Sequence, residues 1–142
     1  MKILIVEDNH KYSEGLAGLF KRNRFKVQIV RTYKEIWKLA KQQRGVGFCE
    51  TFSVALLDYD LNIGGGLNGK EVAELFKIPK DRIIAISTGD FDQSYGMYIW
   101  RGKEILFEDQ EGNKDRIEMM KRSMSRQLIK LVRTCLEMST SS

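Results

Sequence analysis

Apolar runs of β type alternate along this chain with stretches whose apolar residues return every three or four positions. Residues 2–7 form the first run and end in Glu7-Asp8-Asn9, where Asp8 or Asn9 can cap a helix carrying Tyr12, Leu16, Leu19 and Phe20 on one face. That helix ends near residues 22–24. A second strand is predicted over 25–30, followed by Thr32 as the cap of a helix holding Ile36, Trp37 and Leu39. Residues 42–51, with Gly45 and Gly47, read as loop. The third strand is predicted over 53–58 and closes on Asp58. Gly64-Gly65-Gly66 then forces a flexible loop before a helix over 70–76, and Pro79 punctuates the chain ahead of a fourth strand over 82–87. The alternation βαβαβαβ argues for an α/β protein, a parallel sheet with helices on both faces.

Two registers compete after Ser87. One makes residues 91–100 an irregular fourth helix and 104–107 the fifth strand. The other makes 97–100 the strand, on the β propensity of Tyr98, Ile99 and Trp100, but leaves about nine residues for a crossover that normally takes about a dozen. Length favours the first. The last helix is the clearest, with Ile117, Met120, Met124, Leu128, Leu131 and Cys135 in a stripe that reads mainly as core and leaves a homodimer open.

The 142 residues suit one domain, expected over 1–137 with a short polar tail at 138–142. With 42% hydrophobic and 30% charged residues the composition is that of a soluble globular protein, and no apolar run reaches the roughly 20 residues of a membrane span. A cytoplasmic protein is expected. The net charge of +5 draws on Lys114, Arg116, Lys121, Arg122, Arg126, Lys130 and Arg133, which read as the solvated face of the last helix. Cys49 and Cys135 form no metal or redox motif, and the lone His10 lacks a spaced partner.

In an open parallel sheet, ligands bind outside the carboxyl ends of the strands. Glu7, Asp8 and Asp58 end two strands there, and a hard divalent cation such as Mg2+ takes oxygen ligands of this kind. Asp58 is also the best nucleophile, since an aspartyl carboxylate can accept a phosphoryl group. Asp60 can add its carbonyl or carboxylate to the metal. Ser87 ends the fourth strand, placed to hydrogen-bond a phosphoryl oxygen.

With these pieces assembled, the sequence resembles a receiver domain of the two-component response regulators. The most specific segments are Lys2-Ile3-Leu4-Ile5-Val6-Glu7-Asp8-Asn9, Ala55-Leu56-Leu57-Asp58-Tyr59-Asp60-Leu61 and Leu67-Asn68-Gly69-Lys70-Glu71-Val72-Ala73. The resemblance implies a flavodoxin-like, doubly wound sheet of five strands in the order 2-1-3-4-5. It further implies Mg2+ held by Glu7, Asp8, Asp58 and the Asp60 carbonyl, phosphorylation at Asp58, and Ser87 as the switch residue with Thr88 beside it. A sensor histidine kinase or phosphotransfer protein would supply the phosphoryl group and a downstream protein target would read it. The chemistry would be that of a phosphoacceptor rather than a turnover enzyme, with at most self-phosphorylation and autodephosphorylation. Neither a DNA-binding domain nor a membrane enters this reading.

The family's lysine at the end of strand five is the departure. The preferred register puts Glu108 at that position and Ile105 at the family's aromatic switch position; the other puts Arg101 there, with Lys103 nearby. A reversed charge would leave a pseudo-receiver, an interaction module independent of phosphorylation. A third reading, a haloacid dehalogenase-like phosphohydrolase, takes Asp58 and Asp60 as the nucleophile and acid/base pair, Ser87 or Thr88 as phosphate binder, and Glu108-Asp109 as metal ligands. Asn62 and the unused Glu7-Asp8 pair count against it.

Overall fold

The computed structural model describes residues 2–58, 68–86 and 98–140, with side chains to 137. Five parallel strands, β1 (Lys2–Val6), β2 (Lys26–Val30), β3 (Val54–Leu57), β4 (Ile83–Ala85) and β5 (Tyr98–Ile99), form one sheet in the order β2-β1-β3-β4-β5. Helix α1 (His10–Arg22) joins β1 to β2, and α2 (Tyr33–Gln42) with the single turn α3 (Phe48–Thr51) joins β2 to β3. Helix α4 (Gly69–Leu75) precedes β4, and the short α5 (Lys103–Phe107) and long α6 (Lys114–Thr140) follow β5.

The strands are apolar throughout because both faces of the sheet are covered. Leu4, Val6, Ala55, Leu57, Ile83 and Ala85 face Ile36 and Leu39 of α2, Phe48 and Val72. Ile3, Ile5, Val54, Leu56, Ile84 and Ile86 face Leu16 and Phe20 of α1, and Leu128 and Val132 of α6. The predicted caps Asn9 and Thr32 are in place, and Asn68 caps α4 in the same way. Each accepts a main-chain N–H of the first turn that follows, satisfying a donor the helix cannot.

Three predictions need correction. Residues 104–107 are not a strand; they belong to α5, and the fifth strand is Tyr98–Ile99. Because β4 ends at Ala85, the crossover comprises the twelve residues 86–97, long enough after all, and the β propensity of Tyr98 and Ile99 prevails. Residues 91–97 of the expected fourth helix lie outside the described residues. The expected loop 42–51 contains α3, whose Glu50 carboxylate accepts the Gly47 N–H and whose Phe48 ring stacks on Phe52 at 5.4 Å. Third, the stripe of α6 is core only in its second half. Leu128, Ile129, Val132 and Cys135 are buried, whereas Met120 is exposed. At 27 residues, about 40 Å, the helix outruns the sheet beneath it. Among the described residues no helix is long and apolar enough to cross a membrane.

The turn from β5 into α5 is fixed by close packing. Trp100 is buried and its indole N–H donates to the Met124 carbonyl of α6 at 2.9 Å. A Cβ on Gly102 would lie 2.4 Å from Trp100 Cζ2 and 3.1 Å from Met124 Cβ. Gly102→Ala is therefore expected to destabilise the protein by about 1–3 kcal/mol, the cost of overpacking. Gly18→Ala, inside α1 where a Cβ meets only the far end of Arg22, should instead gain roughly 0.5–1 kcal/mol of helix propensity. Urea unfolding midpoints of the two variants check both; equal midpoints would refute the packing argument.

Candidate functional site

The register that pairs Val6 with Leu57 puts the next residues, Glu7 and Asp58, side by side on neighbouring parallel strands about 4.8 Å apart. The main-chain bonds Glu7 N–H to Val30 O (3.2 Å) and Asp58 N–H to Val6 O (3.1 Å) carry the ladder one residue past each strand. Alternation then turns both carboxylates to the face covered by α1 and α6, continuing the rows Ile3, Ile5 and Val54, Leu56. Glu7, Asp8 and Asp58 offer one oxygen each within 4.8 Å of one another. Glu7 and Asp58 are buried, and Asp8 is half-buried.

The cation of this cluster is Lys103. Its Nζ donates to Glu7 Oε1 at 2.9 Å and to Asp58 Oδ2 at 3.2 Å, and the side chain is 2% exposed. The first residue of a helix is a poor place for a positive charge. The carboxylates compensate. The ammonium also lies 5.1 Å from the centroid of the Tyr12 ring, which is a favourable cation–π distance. Tyr12 is in turn held from outside: its ring packs on Phe107 at 6.2 Å, beside Glu108, which pairs with Lys11 at 3.1 Å. Burial and the Glu108 carboxylate push the Tyr12 phenol up to about 12.

Of the residues considered for the lysine position, Lys103 alone reaches Asp58 among the described residues; Arg101 is exposed at the surface. Glu108 does not hold that position. It sits at the far end of α5, where Lys11 and Tyr12 hold its carboxyl below the usual range, and it takes no part in the acidic cluster. The aromatic residue three before the lysine is Trp100, not Ile105. His10 is exposed, and of the two free cysteines Cys49 is exposed while burial pushes the Cys135 thiol up to about 11. Asp60, Ser87 and Thr88 lie outside the described residues. Sequence reasoning did not foresee Tyr12 near the site; its place five residues after Glu7, on the helix turn facing the sheet, was the available signal.

Burial, reinforced by the adjacent Asp58 carboxylate, raises the Glu7 carboxyl to about 8 from an ordinary 4.5, with Lys103 opposing the shift. Glu7 Oε2 is buried and has no hydrogen-bond donor among the described residues. Two things can satisfy it: a proton shared with Asp58, or a cation. The residues fit a hard divalent cation. Oxygens bound to magnesium at about 2.1 Å stand about 3–4 Å apart, a modest contraction from the spread found here.

No protein-family model matches the sequence, and no curated protein matches it. Solved structures do. The N-terminal domain of a response regulator/sensory box/GGDEF 3-domain protein from Carboxydothermus hydrogenoformans superposes with a TM-score of 0.60 at 16% identity, covering 99% of this chain and 98% of that one. A response regulator receiver domain protein from Clostridium thermocellum gives 0.54 at 16% identity over 90% and 97% of the two chains. A CheY-like receiver domain protein from Methanospirillum hungatei gives 0.51 at 20% identity over 91% and 97%. The chain has the fold of a response-regulator receiver domain. In this receiver fold the acidic cluster lies at the carboxyl ends of β1 and β3, where the strand order reverses and ligands of doubly wound sheets bind.

The Glu7 shift has a consequence for stability. Between pH 4.5 and about 8 the unfolded chain has released this proton while the folded chain still holds it, so Glu7 makes stability fall as pH rises through that window. Glu7→Gln cannot ionise. In EDTA, the stability of wild type relative to Glu7→Gln should decline from pH 5 to pH 8 and then level off, read from urea unfolding at each pH; a constant difference would refute the raised carboxyl.

Proposed function

We propose that the chain is a receiver in function as well as fold: a Mg2+-dependent phosphoacceptor in which Asp58 takes a phosphoryl group from a histidine kinase or phosphotransfer protein. The observation that carries this reading is the Lys103 ammonium on Asp58 Oδ2, beside three clustered carboxylates. Asp58 would act as nucleophile, and Lys103, already hydrogen-bonded to it, as the charge partner of a phosphoryl oxygen.

Glu7, Asp8 and Asp58 would hold the ion, joined by the Asp60 carbonyl on the family's pattern. When bound, the ion supplies positive charge to phosphoryl oxygens and helps align the donor. Asp58 Oδ attacks phosphorus in line. The new O–P bond forms as the bond to the leaving group breaks, and the leaving group departs with that electron pair. Lys103 turns from the carboxylates to a phosphoryl oxygen, a charge-assisted bond that gains strength as negative charge gathers there. The product is an acyl phosphate, which a later water hydrolyses. This is a signalling switch rather than a turnover enzyme, read by a downstream protein.

The phosphorylation-independent reading required a reversed charge at the lysine position, and Lys103 removes that premise. The phosphohydrolase reading needed Glu108 among the metal ligands, and Glu108 is engaged by Lys11 and Tyr12 instead.

Acetyl phosphate or phosphoramidate with Mg2+ should add one phosphoryl group to the protein, detected by intact mass. Asp58→Asn should abolish the adduct, and Lys103→Met should slow its formation by about 100-fold. EDTA should prevent it. Failure of wild type to label under conditions that label an ordinary receiver would sink the proposal, as would sustained release of phosphate over many turnovers.

A further inference from the structure

At the amino-terminal edge of the sheet, away from the acidic cluster, a cleft of about 620 Å³ opens between the end of α2, the turn leading into α3, and the end of α4. Its walls are of two kinds. Trp37, Val46, Leu75 and Phe76 supply apolar surface, and Trp37 and Val46 remain 39% and 40% exposed. Lys41, Arg44 and Lys77 supply three positive charges, all on exposed residues. No carboxylate lines the cleft, and none of the three cations forms an ion pair among the described residues. Exposed cations on a helical protein are usually balanced by acidic neighbours at three or four residues. Here Lys41 and Arg44 have no acidic residue at that spacing, and Lys77, which has Glu74 and Asp81 there, pairs with neither among the described residues; the three surround an aromatic and aliphatic floor.

A further observation points to an occupant. Gln43, in the same wall, has its Oε1 buried without a hydrogen-bond partner among the described residues. Such an acceptor costs stability unless a donor arrives. A cleft of this size, mostly apolar with a few convergent polar groups, has the form of a binding site.

We infer that this cleft docks an acidic peptide segment of a partner protein, one that inserts an apolar side chain against Trp37 and Phe76 and sets flanking carboxylates on Lys41, Arg44 and Lys77. Single-stranded nucleic acid would match the cations and could stack on Trp37. It would leave the aliphatic wall of Val46 and Leu75 unused, and three cations are a short track for a phosphate backbone. The acidic peptide fits both the cations and the apolar walls. The inference stands apart from the phosphoacceptor reading, because none of its residues belongs to the acidic cluster.

A random-peptide phage library selected on the full chain tests it. The expected enrichment is for sequences with two or more acidic residues flanking a large apolar one. A synthetic peptide of the enriched sequence should lose at least tenfold in affinity on the triple variant Lys41→Glu, Arg44→Glu, Lys77→Glu and on Trp37→Ala, and should weaken as salt is raised. These positions are exposed, so urea midpoints near that of wild type confirm that the variants fold; should the triple variant unfold, Arg44→Gln with Lys77→Gln serves in its place. Absence of enrichment over an unrelated protein would overturn the inference. So would enriched peptides that bind the charge variant as tightly as wild type, or an oligothymidylate that binds this cleft where peptides do not.

Discussion

A single buried ammonium, that of Lys103, holds the acidic end of this molecule together. Parallel pairing of β1 with β3 leaves no choice about where Glu7 and Asp58 go: the register makes them neighbours, and the alternation turns both to one face. Unit charges about 4 Å apart at an effective dielectric near 20 interact by about 4 kcal/mol, comparable to a large share of a domain's net stability. The fold relieves that repulsion in two ways, with the proton that Glu7 keeps up to about pH 8 and with a counter-charge. Lys103 brings that charge from beyond β5, two strand positions from β3, and touches both carboxylates.

Much of the surrounding architecture serves to bring that ammonium in. β5 is only two residues long, and the chain leaves it through Trp100 and Gly102, packed so tightly on Met124 of α6 that a single methyl group does not fit. Lys103 then opens α5 with its side chain lying over the Tyr12 ring, while Glu108 at the other end of that helix ties Lys11 and Tyr12 down. Helices α1, α5 and α6 are thus fastened to one another around the lysine. A displacement of Lys103 toward a phosphoryl group would be felt by all three, and α6 is the longest of them and the one that carries exposed methionines.

The sheet was legible because its physics writes itself directly into sequence. Strands covered on both faces read as unbroken apolar runs, caps read as Asn9 and Thr32, and carboxylates at the ends of such runs are conspicuous. The short elements carry no such signal. Two residues of β5 are too few to show a period, and one turn of α3 directly after Gly45 and Gly47 looks like a loop. Lys103 was the hardest to place because nothing in a lysine's local sequence says whether it will be buried; that depends on Glu7 and Asp58, which lie 96 and 45 residues away. An argument from crossover length places the strand at 104–107 and so puts Glu108, the residue directly after it, in the lysine's place.

The same ammonium also sets the order in which ligands can enter. Were all three carboxylates ionised, they would outweigh the one ammonium by two negative charges, and an incoming phosphoryl group is itself an anion. Without compensation it would be repelled. A divalent cation would supply the missing charge and a partner for Glu7 Oε2, which a proton satisfies otherwise. On the proposed reading, proton and cation compete for Glu7. The site then becomes receptive to an anion only once the cation has displaced that proton, because only then is its charge balanced with Lys103 free to turn toward the phosphoryl oxygens.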